Sequence, residues 1–597
     1  MPRRRMFRPA AAAGSGDRHR HRAEPEHRRA ARPGTAWPLA AVAVVTLVGL
    51  AALHRAVRPG EGLLAAEGFL LLRGGGPAPP ALSPDGVGAA EMAVHATLFR
   101  AFDRQDTLLA AGRELILAAT IASAVLLWAT ARRLGFGDGA TAAVVLLGAA
   151  PPLLSPVALL DVPAQLAVPW LLLAAWLVAP GRPTVTARGL ALLASAVATL
   201  LAPDVLLLAL FGTAAAVATG RLMPQAGPRV RLAGAGVFVP GIVLVTLLLP
   251  LWDPPREVAA GLGTGTRLVA TAAFLLVGGV AAWRVDRFRV PASALVGTTL
   301  TAIAPLGRLS AVIVCLPLAA VLTVALAEQA VERSPERTRR MLRLAGVAVL
   351  AGAGAAAVVL LVRAPPTDPE ERTVTAILDW ADQRLPAGGR LVASLPLWAD
   401  LVHAGGDENV VRLPGTAGKG DLLHPVVVAV PGTPAHGAPV LARFPRTAPP
   451  LLVVDPAPGV PTPAELARRR AIAAALLANP TTVAGPRAAG VLRSADVDPR
   501  LLLVLAGLGA QYGIGTADFP PAPYEPADGL LAHRALVDGL GGAPVRPGTP
   551  ATERLLAWLH AQVPPFAADS ARVTRDGVLI DFRYVSAPDA LVTRSAP

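Results

Sequence analysis

Eleven apolar stretches, each close to the length that crosses a lipid bilayer, fill this chain between Trp37 and Val362. A bilayer core requires about 20 apolar residues in a helix, and hydrocarbon offers no hydrogen-bond partner to an open backbone, so helices are the expected spanning structure. The predicted segments are 37–53, 114–131, 140–158, 163–179, 189–202, 204–219, 232–251, 267–283, 291–306, 309–327 and 344–362. The sequence therefore predicts a polytopic α-helical membrane protein with about 11 transmembrane helices.

Arginine in alternate loops predicts the orientation of these helices, because cytoplasmic loops carry an excess of basic residues. Segment 189–219 could be one long helix, but a break at Pro203–Asp204 keeps every later basic loop on the cytoplasmic side. An odd number of crossings then places the N-terminus in the cytoplasm and everything after Val362 outside the plasma membrane. The loops assigned to the cytoplasm are 1–36, Arg132–Arg133, Arg182–Arg188, Arg221–Arg231, Arg284–Arg289 and Arg333–Arg343.

The chain divides into three regions. Residues 1–36 form a basic tail punctuated by Pro and Gly, which we expect to be disordered and attracted to anionic lipid. Residues 37–363 form the membrane domain, whose long outer loop 54–113 contains two amphipathic helices. In the second, at about 89–103, the apolar face is expected to comprise Met92, His95, Leu98 and Phe99. Residues 364–597 form an extracytoplasmic α/β domain, in which short Val and Leu runs between helices predict a largely parallel sheet. A short helix is expected after the run HPVVVAV, and a second lobe begins near Asn479–Pro480.

Composition excludes some classes of function. The net charge is +14, and arginine in the tail and inner loops accounts for the basic excess, while Lys419 is the only lysine. This distribution follows membrane topology rather than a nucleic-acid surface. Cys315 is the only cysteine and lies in a predicted span, so no intramolecular disulfide can form.

A family resemblance appears in the first four spans. A long outer loop follows the first span, Arg113–Leu115 opens the second, and the third closes in APPLLSPVALLDVPAQ, with Asp161 before the next helix. The segment GLALLASAVATLLAPDVLLLAL then contains a short helical pair. Residues 37–220 thus resemble the membrane core of GT-C glycosyltransferases, the superfamily of protein O-mannosyltransferases and lipid A aminoarabinose transferases.

The resemblance implies transfer of a sugar from a polyprenyl-phosphate donor to an envelope glycan or protein acceptor at the outer membrane face. A carboxylate in the first outer loop acts as the base in that family, which points to Glu61 and Glu67 with Asp161 as catalytic candidates. Donor phosphate is held by cationic residues, and the candidates for substrate or lipid-phosphate binding are Arg113, Arg308 and Asp204. The cofactor is left unknown, with a divalent metal as a possible one, and no metal-ligating residue is proposed.

Each candidate also has a structural interpretation. Glu61 can complement a helix dipole, Asp161 can cap the helix that Pro163 opens, and Asp204 can do the same after Pro203. Arg308 can reach lipid headgroups by snorkelling, and His95 is expected to be a packed or interfacial residue. The Asp496-Val-Asp498 motif mimics a metal-binding DxD, but Asp498 before Pro499 is typical of a helix cap.

Two functions remain at this level. The first is the membrane glycosyltransferase just described, with membrane lipid, the lipid-linked sugar and the acceptor as partners. The second is a catalytically inactive GT-C-like scaffold or binding protein in cell-envelope assembly. Family members carry adjacent acids after the first span, whereas RPGEGLLAAEG has Glu61 and Glu67 apart, which favours the scaffold. The retained architecture and Asp161 favour the enzyme.

The orientation can be tested with alkaline phosphatase fused at two points on either side of the last predicted span. A fusion after Arg343 is expected to be inactive, because this loop is assigned to the cytoplasm, and a fusion after Pro365 active. An inactive fusion after Pro365 in an expressed protein would contradict the topology.

Overall fold

The computed structural model describes residues 36–53, 62–74, 82–150, 161–179, 184–252, 264–336 and most of 369–595. Within the last range the gaps are 417, 419, 422–423, 433–437, 446–449 and 527–528, and single positions are described between 341 and 359. Three predictions lie outside these residues: the disordered tail, apart from Ala36, the role of Glu61, and the span at 344–362.

The N-terminal half is built from helices, and we call residues 36–336 the helical domain. Its helices are α1 (Ala36–Leu53), α2 (Leu63–Arg73), α3 (Pro84–Phe99), α4 (Ala101–Arg104), α5 (Leu108–Arg133), α6 (Asp138–Ala149), α7 (Val162–Val178), α8 (Val185–Leu201), α9 (Asp204–Ala218), α10 (Pro228–Gly236), α11 (Phe238–Trp252), α12 (Thr264–Arg284), α13 (Arg289–Thr298) and α14 (Leu309–Glu332). A π-helical turn, Thr299–Ile303, continues α13.

Four helical stretches among the described residues are long and apolar enough to cross a membrane, and they are Leu108–Arg133, Pro228–Leu249, Gly265–Arg284 and Leu309–Glu332. Shorter apolar helices cover Ala36–Ala51, Asp138–Ala149, Val162–Val178, Val185–Leu201 and Asp204–Ala218. These helices support the membrane character of the chain, whereas the count of 11 crossings stays a prediction. The predicted break at Pro203–Asp204 is confirmed, since α8 ends at Leu201 and α9 begins at Asp204.

The two helices predicted in the loop 54–113, which we call the first loop, are present as α2 and α3. Their packing differs in one respect from the prediction. Met92 and His95 are buried in α3, but Leu98 and Phe99, expected on the same face, are exposed. The close packing of α3 on α2, α7 and α8 therefore uses a face centred on Met92.

The C-terminal domain, residues 369–595, contains two mixed sheets. Its helices are α15 (Pro369–Arg384), α16 (Leu395–His403), α17 (Pro463–Ala478), α18 (Pro486–Ser494), α19 (Pro499–Gln511), α20 (Pro550–His560) and α21 (Pro588–Ser595). Its strands are β1 (Arg390–Ala393), β2 (Val411–Arg412), β3 (Val426–Pro431), β4 (Val440–Phe444), β5 (Leu451–Val454), β6 (Thr482–Ala484), β7 (Ile514–Asp518), β8 (Arg534–Leu540), β9 (Ala543–Pro544), β10 (Ser570–Thr574) and β11 (Gly577–Asp581).

The prediction of a largely parallel sheet is wrong. The first sheet has the order β2-β1-β3-β5-β4, in which β1 is parallel to β2 and β3 while β5 is antiparallel to β3 and β4. In the second sheet, β10-β11-β8-β7-β6 with β9 beside β8, only the β6–β7 pair is parallel among the described strands. The short helix expected after HPVVVAV is also wrong where the structure describes this stretch, because residues 440–444 form β4. A continuous apolar run indicates a strand that is buried on both faces, but it does not fix the direction of the neighbouring strands.

The C-terminal domain docks on the first loop through α16, which packs against α2. The backbone N–H of Leu108 donates to Asp400 Oδ1 at 2.9 Å, so a carboxylate of this domain caps the first turn of α5. His403 Nε2 lies 3.1 Å from the carbonyl oxygen of Gln105. An exposed ion pair joins Arg73 to Glu408 at 2.6 Å. The buried core is continuous across this contact from α2 to the first sheet.

The Asp400 cap can be tested by the Asp400→Ala substitution. The loss of a carboxylate at a helix N-terminus typically costs about 1–2 kcal/mol, so we expect the thermal midpoint of the full chain in nanodiscs to fall. The matched control is Glu408→Ala, because the exposed Arg73 pair across the same contact is worth less than about 1 kcal/mol. Equal midpoints for the two variants would contradict the capping role.

Candidate functional site

Two acidic candidates, Glu67 on α2 and Asp161 just before α7, belong to segments that both contact α3 at Gly88. A Cβ atom at Gly88 would lie 2.8 Å from Leu64 Cδ1 of α2 and 3.6 Å from Pro163 Cγ of α7. A larger residue at position 88 would therefore require the Leu64 side chain to shift. Leu64 is one turn before Glu67, and Pro163 is two residues after Asp161, so both acids are close in sequence to residues that contact α3.

Glu67 lies on the buried side of α2, with an exposed fraction of 9 %. The next residue, Gly68, packs so closely on α3 that a Cβ there would lie 2.8 Å from Met92 Cγ. Glu67 is therefore not directed to solvent. Its catalytic role stays a prediction.

Asp161 caps α7. Its Oδ1 accepts a hydrogen bond from the backbone N–H of Ala164 at 3.3 Å, and Pro163 occupies the first turn. This is the capping geometry that Asp-Val-Pro indicates. A further role of Asp161 toward donor or acceptor stays a prediction.

Glu91 is a carboxyl group that sequence analysis did not identify. It lies on α3, partly buried, and its Oε1 accepts a hydrogen bond from the indole Nε1 of Trp170 on α7 at 2.6 Å. Burial raises the pKa of Glu91 from 4.5 to about 7, although the Trp170 hydrogen bond opposes the rise. A carboxyl group with this pKa exchanges its proton near neutral pH. The available signal was an acid among Ala89, Ala90 and Met92 in an apolar helix.

A polar cluster joins α3 to the start of α5. Glu114 accepts hydrogen bonds from Arg104 Nη2 at 2.7 Å and from Gln105 Nε2 at 2.8 Å, and His95 Nε2 lies 3.6 Å from its Oε1. Burial lowers the pKa of His95 despite the nearby Glu114 carboxylate, which favours the neutral imidazole. His95 is therefore a packed residue, as expected, and it also stacks against Phe99 with ring centroids 4.9 Å apart.

The three residues predicted to bind substrate or lipid phosphate lie in two places. Arg113 is buried in α5 and donates from Nη1 to the carbonyl oxygen of Leu53 at 2.6 Å, which links the end of α1 to α5. Arg308 Nε lies 3.1 Å and 3.2 Å from the two carboxylate oxygens of Asp204, and the Ser310 hydroxyl also donates to Asp204. Asp204 is fully buried. The structure thus brings Arg308 and Asp204 together and places Arg113 apart from them, and phosphate binding stays a prediction.

The Asp496-Val-Asp498 motif has the geometry of a cap. Asp498 Oδ1 accepts from the backbone N–H of Arg500 at 2.8 Å, and its Oδ2 accepts from the Arg500 guanidinium at 2.7 Å. Within the described ranges, no group of three or more His, Cys, Asp or Glu side chains is placed to hold a metal ion.

Comparison of the chain with protein-family models, with curated proteins and with solved structures finds no match.

The Asp204–Arg308 pair can be tested by Asp204→Asn. Removing one partner leaves a buried guanidinium without its counter-charge, which typically costs about 3–5 kcal/mol. We therefore expect a large fall in the thermal midpoint of the protein in nanodiscs. The matched control is Asp286→Asn, because the Asp286–Arg289 pair is exposed and contributes little. A midpoint for Asp204→Asn as high as that of the control would argue against a structural ion pair.

Proposed function

We propose that the chain is a membrane glycosyltransferase that transfers a sugar from a polyprenyl-phosphate donor to an envelope acceptor at the outer face of the plasma membrane. The observation that carries this proposal is Glu91, a carboxyl group in the first loop with a pKa of about 7. The resemblance to GT-C enzymes assigns the catalytic base to the same loop. A general base is most effective when its pKa lies near the operating pH.

The chemistry requires one proton acceptor and one leaving group. The acceptor hydroxyl gives its proton to the Glu91 carboxylate while its oxygen forms the new bond to the anomeric carbon of the sugar. The bond between that carbon and the donor oxygen breaks, and polyprenyl phosphate leaves with the electron pair. Trp170 holds the carboxylate through its indole N–H, and this hydrogen bond keeps the pKa of Glu91 from rising further.

Glu67 and Asp161 are proposed to act around this base. Both belong to the helices that meet α3 at Gly88. A second carboxylate at the site can orient the acceptor hydroxyls by accepting their hydrogen bonds. Because Asp161 already accepts from Ala164, its contribution is one of positioning.

A catalytically inactive scaffold in envelope assembly is the second candidate. The sequence RPGEGLLAAEG, which lacks the adjacent acids of the family, favours it. Scaffold and enzyme differ in the effect that deletion of the chain has on lipid-linked sugars. Loss of a transferase causes the lipid-linked donor to accumulate and one glycan to disappear, whereas loss of a scaffold leaves the lipid-linked sugars unchanged.

The test is complementation of a deletion strain of the native host with Glu91→Gln, with polyprenyl-phosphate sugars and envelope glycans measured by mass spectrometry. Gln still accepts the Trp170 hydrogen bond but cannot take a proton at neutral pH, so we expect donor accumulation as in the deletion and at least a hundredfold lower transfer. The control is Asp103→Asn, an exposed acid of the same loop, which is expected to restore transfer.

A pH profile separates a base from a structural carboxylate. Wild-type transfer in membrane vesicles should decline as the pH falls below about 7, because Glu91 becomes protonated. Trp170→Phe removes the hydrogen bond that favours the charged carboxylate, so the pKa of Glu91 rises and the decline moves to higher pH. Full transfer by Glu91→Gln would exclude Glu91 as the base, and unchanged lipid-linked sugars in the deletion strain would favour the scaffold.

A further inference from the structure

A cavity of about 230 Å³ lies between the two sheets of the C-terminal domain. We call it the interlobe cavity. Its wall combines side chains from α15, α17, α21 and the segments that flank β8 and β11. The residues that the argument uses are Trp380, Arg384, Arg469, Glu525, Tyr584 and Asp589.

The charged groups of this wall are held in opposite pairs. Arg384 lies 3.1 Å from Glu525 and 2.8 Å from Asp581, and Arg469 lies 2.8 Å from Asp589. Arg384 and Arg469 are nearly fully buried. Each guanidinium faces a carboxylate, and Asp498 on the same wall is paired with Arg500 at 2.7 Å, so the charges of the wall are compensated. This arrangement favours a neutral ligand over an anion or a cation.

Two buried donors on the wall remain available for a ligand. Trp380 Nε1 and Arg469 Nε have no hydrogen-bond acceptor within the part of the chain that the structure describes. The exposed fractions of Trp380 and Arg469 are 4 % and 6 %. Buried polar groups in native proteins are almost always hydrogen-bonded, so two such donors on one small cavity point to a ligand that carries acceptors.

The ligand must also donate hydrogen bonds to the carboxylates of the wall. The carboxylates of Glu525 and Asp589 keep acceptor capacity beyond their arginine partners, since an ionised carboxylate has about four lone-pair sites. The rings of Trp380 and Tyr584 add apolar surface. A hydroxyl both accepts and donates, and a sugar ring combines several hydroxyls with apolar C–H faces.

The volume limits the size of the ligand. With about 30 Å³ for each water in the liquid, the cavity corresponds to roughly seven or eight waters, below the range of about 300–1,000 Å³ for drug-sized ligands. We propose that the interlobe cavity binds one neutral glycosyl unit, such as the end of a glycan chain. The identification of this unit as part of the transfer acceptor rests on the proposed function. The binding of a glycosyl unit in the cavity does not depend on that function.

Binding is tested with the full chain in nanodiscs prepared without glycoside detergents. The probes are neutral methyl hexosides and methyl pentosides, with glucuronate and inorganic phosphate as anionic probes, measured by saturation-transfer NMR and titration calorimetry. We expect at least one neutral glycoside to bind and the anions to bind more weakly. The proposal is overturned if no neutral glycoside binds, since water would then satisfy the two donors. It is also overturned if glucuronate or phosphate binds more tightly than every neutral glycoside.

Two conservative variants locate the bound sugar. Trp380→Phe keeps the ring and removes the N–H, and Arg469→Lys keeps the charge opposite Asp589 and removes Nε. Each is expected to weaken binding about tenfold, the effect of one hydrogen bond in a buried site. The controls are Trp398→Phe, whose indole N–H donates to Val411 outside the cavity, and the exposed neighbour change Arg470→Lys.

Equal affinities of the cavity variants and their controls would place the sugar elsewhere and overturn the assignment. The outcome is independent of catalysis. Sugar binding with no donor accumulation in the deletion strain would reject the transferase alone, and transfer without sugar binding would reject the interlobe site alone.

Discussion

The hydrogen bond between Asp400 and the backbone N–H of Leu108 joins the two halves of the molecule at the start of the longest helix of the helical domain. The first N–H groups of a helix have no partner within the helix and carry partial positive charge. In α5, Thr107 satisfies one of them from its own segment, and the C-terminal domain supplies the carboxylate for another. A chain element far away in sequence thus completes α5, and in return α5 and α2 provide the surface on which α16 packs.

The packing of the first loop explains why it can contain a partly buried titratable group. The helix α2 is held between α16 on one side and α3 on the other, and α3 in turn packs on α7 through Gly88. A loop helix in open solvent would leave Glu91 hydrated, with a pKa near 4.5. Packed against Trp170, the carboxyl loses water, and desolvation outweighs the single hydrogen bond. The chemistry proposed for the first loop therefore depends on the packing of α3 against α7.

Local and non-local features of this fold differ in how well the sequence predicts them. Hydropathy is local, so the apolar helices and the break before Asp204 follow from composition and from Pro203. Strand direction depends on contacts between distant segments, so the sequence did not predict that the two sheets are mixed. The same limit applies to β4, which stands where a helix was expected. The same limit applies to the site. Asp161 is recognisable as a cap because its partner is three residues away, whereas the environment of Glu91 depends on Trp170, 79 residues further along the chain.

The nature of the hydrogen-bond partner distinguishes two kinds of carboxyl group in this molecule. Asp204 is fully buried, but Arg308 and Ser310 both donate hydrogen bonds to it. These donors compensate the carboxylate, so removal of the Asp204 carboxylate should lower the stability of the fold. Glu91 is less buried, yet the donor that holds it is the neutral indole of Trp170. A neutral donor stabilises a carboxylate less than a guanidinium does. The pKa of Glu91 therefore stays raised, at about 7. The position of an acid in the sequence motif therefore says less about its reactivity than the charge of the group that it faces.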